Sequence, residues 1–71
     1  MKLHYYPETD SLYVEFKARS GAETIEVTDG LNVDIDADGE LVGFDIDQAS
    51  RRLDLHTLET EALPLHSVKA I

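Results

Sequence analysis

Apolar and polar residues alternate with a period of two through the first two thirds of the chain. That is the mark of half-buried strands, whose successive side chains point to opposite faces. Leu3 and Tyr5 share one face of a first strand, and Leu12, Val14 and Phe16 one face of a second. Ile25 and Val27 do so in a third, Leu31, Val33 and Ile35 in a fourth, and Val42, Phe44 and Ile46 in a fifth. The first connection, PETD, places Pro7 where a type I turn uses its fixed φ. The second, residues 17–23, contains Gly21 and is the loosest.

The last two hairpins predict their own register, because a slip of one residue would turn every apolar side chain to water. Facing like with like pairs Val27 with Leu31 and Ile25 with Val33, around a loop of Thr28, Asp29 and Gly30 with Gly30 left-handed. It also pairs Ile35 with Val42, Val33 with Phe44 and Leu31 with Ile46. The turn between them is then centred on Asp38-Gly39, a pair suited to a type I′ turn.

After Ile46 the period changes. Asp47 can serve as the N-cap of a helix beginning QASRRL, with Ala49, Leu53, Leu55, Leu58 and Ala62 as an apolar stripe and Pro64 as its limit. RLDLHTL, however, also alternates like a strand. A sheet with one apolar face needs a cover, and this segment supplies it. The expectation is a single α+β domain over residues 1–71: a five-stranded antiparallel β-meander with a C-terminal helix packed on its apolar face. Residues 1–47 form the sheet, 48–63 the helical segment and 64–71 a tail.

Composition narrows the function. A chain of 71 residues has a thin core and modest stability. It has no cysteine, which removes disulfides, thiol nucleophiles and cysteine-ligated metals. MKLHYYPETD has no signal-like apolar stretch and no run reaches the length of a membrane span, so a cytoplasmic protein without membrane contact is expected.

The net charge of −9 is unevenly placed. Between residues 20 and 50 there is no Lys or Arg, against Glu23, Glu26, Asp29, Asp34, Asp36, Asp38, Glu40, Asp45 and Asp47. The six acids elsewhere are matched by all six basic residues. A field of this sign repels phosphate backbones, so direct nucleic-acid binding is not expected, and it attracts a cation or a basic protein. A solvated acidic surface that keeps a small domain soluble is the plainer meaning of the same pattern.

Residues 34–45, DIDADGELVGFD, place Asp34, Asp36, Asp38, Gly39 and Asp45 at the offsets of an EF-hand calcium loop. A helix must enter such a loop, whereas DGLNV precedes this one, and the closing position has Asp45 where a bidentate Glu is usual. On a hairpin the acids point apart, so the segment reads as a hairpin tip, with a divalent-cation domain as the alternative. Glu26, Asp34, Asp36, Asp45 and Asp47 are all expected on the outer face. Neighbouring like charges there cost on the order of 0.2–1 kcal/mol per close pair. A basic partner would relieve that cost; water and salt also screen it. Tyr13 is the aromatic expected to point outward among these acids.

Catalysis is not expected. His4, His56 and His66 lie in three separate segments, and Ser11, Ser20, Ser50 and Ser67 lack a nucleophile-elbow setting. The carboxylates are too many to single out an acid–base pair, and a one-layer core leaves little room for a dry pocket. No cofactor or metal site is assigned.

The stretches YPETDSLYV, ETIEVTDGLNVDIDADGELVGFDI and Ala49-Ser50 resemble a small bacterial family, domain of unknown function 2283. Its pattern reads roughly Tyr-Asp-Pro-Glu, Asp-x-Leu-Tyr, Glu-x-Asp-Gly, Val-Asp, Gly-x-Leu-Val-Gly and Ala-Ser. Tyr6 stands where the family often has Asp. The resemblance implies a compact antiparallel sheet with a helix, assigns no catalytic residue, and implies an antitoxin-like pairing with a small toxin. The resulting expectation is a non-catalytic interaction module. Its face of Glu26, Asp34, Asp36, Asp45, Asp47 and Tyr13 would bind a basic protein partner, with self-association left open.

Overall fold

The computed structural model describes residues 1–65. Strands β1 (Lys2–Tyr6), β2 (Ser11–Glu15), β3 (Glu23–Thr28), β4 (Leu31–Ile35) and β5 (Leu41–Ile46) form one antiparallel sheet, followed by the short helix α1 (Ala49–Arg52). The α+β architecture with a five-stranded antiparallel sheet is as the alternation predicts. Its order is β1-β2-β5-β4-β3. The meander therefore runs through β3, β4 and β5, and the β1–β2 hairpin docks on it by pairing β2 with β5. Residues 16–22 make this order possible by running along one end of the sheet, past the β4–β5 turn, to the far edge.

Register divides the sheet into two faces. Leu3, Val14, Phe44, Val33 and Ile25 form one row across all five strands, and Tyr5, Leu12, Ile46 and Leu31 a second. On the opposite face run Lys2, Glu15, Gly43, Asp34 and Thr24, and beside them His4, Tyr13, Asp45, Asn32 and Glu26. The predicted pairs Ile25–Val33, Val33–Phe44 and Leu31–Ile46 are all present.

Two turns differ from expectation. Gly30 and Gly39 both have φ of 80°, as left-handed turn residues. Thr28, however, pairs with Leu31, and the register shifts at Val27. Ile35 pairs with Leu41 in place of Val42, with a shift after Asp34. The second turn is not type I′, because Asp38 is not among the residues of positive φ. The Gly39 N–H donates to Asp36 O at 3.0 Å and the Asp36 N–H to Glu40 O at 2.9 Å, which closes a wider loop with one left-handed glycine.

The helical segment is also shorter than 48–63. Its last bond runs from the Leu53 N–H to Ala49 O at 2.8 Å, and Leu53 is already extended. Beyond it, Asp54 accepts the His56 N–H at 3.1 Å, a local bond that competes with helix, and RLDLHTL continues as a bend and turn, forming neither the longer helix nor a strand. Asp47 is not the N-cap. That position belongs to Gln48, left-handed at φ 54° and without a side-chain cap. The cap comes instead from the β1–β2 turn. Asp10 O accepts the Ala49 N–H at 2.8 Å, and the Asp10 carboxylate accepts the Ser50 N–H at 3.1 Å and its Oγ–H at 2.7 Å. Tyr5 donates to the same carboxylate at 2.7 Å. Arg52 ties the other end, donating to Asp29 O at 3.0 Å in the β3–β4 turn. Most of the tail placed at 64–71, with His66 and Ser67, lies outside the described residues.

The helix buries Ala49, at 0% exposure, with Leu12 and Val14, while Phe16, Phe44 and Ile46 are partly buried around them. Val42 is buried as well, and the side chains of this face that stay exposed lie on the edge strands: Leu3, Tyr5 and Ile25. Among the described residues no large side chain is fully buried.

Candidate functional site

The acidic face is built on Gly43. An ideal Cβ at this position would lie 2.5 Å from Val14 O, 2.8 Å from the Tyr13 Oη and 3.0 Å from its Cζ. With only hydrogen there, the Tyr13 ring crosses β5 and donates to Asp34 Oδ2 at 2.9 Å. Thr24 donates to Asp34 Oδ1 at 2.6 Å, so both oxygens of Asp34 are held within the sheet. Burial pushes the Tyr13 phenol up to about 12, and the Asp34 hydrogen bond and nearby charges add to it. Tyr13 is thus half-buried, and Tyr5 and Tyr6 are the exposed tyrosines. Its alternation predicted the face but not the diagonal lean, which depends on a glycine in the adjacent strand β5.

Asp36 does not belong to this face. It is 4% exposed, and its Oδ1 accepts the N–H groups of Asp38 at 2.9 Å and Glu40 at 3.0 Å. Its Oδ2 makes no hydrogen bond but lies 3.2 Å from Arg19 Nη1 and 3.8 Å from Lys17 Nζ. The Glu40 amide chiefly, with the Asp38 amide and the two cations, holds its carboxyl below the usual range against the opposing effect of burial. Arg19 also pairs with Asp38 at 3.5 Å. The acidic tip is therefore neutralised by the β2–β3 connection that wraps it. Local alternation could not show this, since the cations lie nearly twenty residues earlier in the chain.

The other acids stay together and unneutralised. Asp45 lies opposite Asn32, in the row that ends at Glu26. Asp47 follows β5 and receives only a long hydrogen bond from Ser11 Oγ at 3.4 Å. Burial first, then the charges of Asp47 and Asp34, raises the Asp45 carboxyl above its ordinary value. Among the described residues, no Lys or Arg pairs with Glu26, Asp34, Asp45 or Asp47.

The acids of residues 34–45 diverge as a hairpin requires: Asp34 toward Tyr13 and Thr24, Asp36 into the β2–β3 connection, Asp38 at the tip, Asp45 beside Asn32. No group of three or more His, Cys, Asp or Glu among the described residues is placed to hold a metal ion. None of their helices is long and apolar enough to cross a membrane.

The model of a protein family of unknown function, DUF2283, matches residues 2–50, and the chain belongs to that family. No curated protein and no solved structure matches it significantly. The stretches behind the resemblance meet in the fold. Asp10 with Ser50 pins the helix, and Tyr13 crosses Gly43 to reach Asp34.

Proposed function

We propose that this domain is a non-catalytic interaction module whose acidic outer face meets a basic protein. The observation that carries the reading is the set of Glu26, Asp45 and Asp47, which no Lys or Arg pairs with among the described residues; burial first, then the charges of Asp47 and Asp34, raises the Asp45 carboxyl. At the hairpin tip the chain supplies its own cations to the acids, whereas among the described residues no Lys or Arg pairs with Glu26, Asp45 or Asp47. A partner's Lys or Arg would relieve that repulsion, and opposite-signed surfaces speed encounter. Tyr13, whose hydroxyl and Cζ lie over Gly43, offers an aromatic side chain beside the acids. An antitoxin-like pairing in the cytoplasm is one form of this reading. A divalent-cation domain through residues 34–45 has no observation in its favour, since Asp36 is already committed to Arg19 and Lys17.

Asp34 is held by Tyr13 and Thr24, so the test leaves it intact. The triple variant Glu26→Gln, Asp45→Asn, Asp47→Asn is compared with the wild type against a basic protein recovered with it by native purification. At low salt the variant should associate about tenfold more slowly, with the gap closing as ionic strength rises. An unchanged association rate would make the face a solubility device.

A further inference from the structure

β3 is the last strand in the order β1-β2-β5-β4-β3, and all six of its residues are exposed. Successive residues of a strand point their backbone N–H and C=O groups to alternate sides. β4 takes one side of β3, and among the described residues no strand takes the other. The pairing with β4 is regular from Glu23 to Glu26, and the register shift is confined to the end of the strand at Val27. That regular stretch places Thr24 and Glu26 on the acidic face and Ile25, 43% exposed, on the apolar one.

The geometry points to strand addition: an extended segment of the basic partner pairs with the free edge of β3, its Lys or Arg residues alternating with apolar ones. This rests on the interaction-module reading and states how the partner is held. Residues directly opposite on neighbouring strands have Cβ atoms about 5 Å apart. A cation of the added strand meets Glu26, with which no Lys or Arg among the described residues pairs, and the apolar residue beside it meets Ile25. Backbone hydrogen bonds supply the affinity and the alternating side chains the choice of partner. The same side chains decide against a second copy. Twofold pairing of β3 with itself, centred on Ile25, would set Thr24 against Glu26 of the second copy and join two acidic faces into one. Sheet edges are commonly guarded by charge. Here the guards are Glu23 and Glu26, on opposite faces, which oppose a chain of net charge −9 and admit a basic strand. The far edge, β1, is guarded differently, by Lys2 at its start and by Pro7, which has no N–H, just past its end.

Titration of the isotope-labelled full chain with a short synthetic peptide alternating Lys with Val tests this. One control is a block isomer of the same composition, and the other is the same peptide N-methylated throughout, which keeps the charge and removes the N–H donors. The alternating peptide should bind at least about tenfold more tightly than either control. At saturation it should slow hydrogen exchange of alternate β3 amides at least about tenfold. Equal binding by all three peptides without protection of β3 overturns strand addition, as does no binding by any of them. So does protection of β3 that grows with protein concentration alone, which would mark pairing with a second copy. None of these results touches the association-rate test of the Glu26, Asp45 and Asp47 variant. A slowed variant beside an unprotected β3 keeps the acidic-face reading and removes this one.

Discussion

Gly43→Ala perturbs the strand that joins the two hairpins at the point where the acidic face depends on it. The new methyl would sit 2.5 Å from the backbone oxygen of Val14 and 2.8 Å from the Tyr13 hydroxyl. Either β2 moves away from β5 or Tyr13 swings off its hydrogen bond to Asp34. Overpacking of this kind costs about 1–3 kcal/mol. Loss of a half-exposed hydrogen bond to a carboxylate adds about 1 kcal/mol. The reduced freedom of the unfolded chain returns about 0.4–1 kcal/mol. The net is a loss of about 2 kcal/mol, or roughly 8–16 °C in melting temperature for a domain of this size. Urea denaturation at one fixed protein concentration measures it. Repeating the substitution in a Tyr13→Phe background isolates the hydrogen bond, and there the cost should fall by about 1 kcal/mol. Absorbance titration supplies a second readout, since the Tyr13 ionisation near 12 should drop toward its ordinary 10 in Gly43→Ala. A change within about 0.5 kcal/mol, with Tyr13 still titrating near 12, would refute the reasoning.

Asp36→Ala should release the β2–β3 connection. Hydrogen exchange should accelerate at the Ala22, Asp38 and Glu40 amides, and unchanged protection there would remove Asp36 from this role. Asp45→Asn should raise the midpoint of urea unfolding at neutral pH, because its raised carboxyl marks a charge the folded state disfavours; a lowered midpoint would contradict that. Asp10 and Asp36 are held low, so their stabilisation is full above the unfolded carboxylate value of 3.8 and is lost as pH falls through their folded values. Acid unfolding should therefore shift to higher pH in Asp10→Asn. At the other extreme Tyr13 is held neutral, so stability should fall between pH 10 and about 12, less steeply in Tyr13→Phe.

The strands and the two faces were legible because the alternation of Leu12, Val14, Phe44 and Ile46 is a local pattern with one buried side. The pairing of β2 with β5 was not, since it depends on where residues 16–22 travel. That path is fixed by Lys17 and Arg19 meeting Asp36, a contact between distant parts of the chain. The helix was over-extended for a related reason. Ala49 and Leu53 carry a helical spacing, but Asp10 caps the helix from the first hairpin while the local preferences of Asp54 and His56 end it. Of the acidic face, Glu26, Asp45 and Asp47 lie where alternation places them. Asp34 and Asp36 are drawn into structural contacts that only the folded sheet reveals.

The central claim is that the acidic face steers encounter with a basic partner, and the salt dependence of the association rate measures it most directly. Stopped-flow rates for the wild type and the Glu26→Gln, Asp45→Asn, Asp47→Asn variant, against the same co-purified basic protein, should differ about tenfold at low salt and converge at high salt. Dissociation rates should change little between the two. Parallel curves, with the variant as fast as the wild type at every ionic strength, would contradict the account.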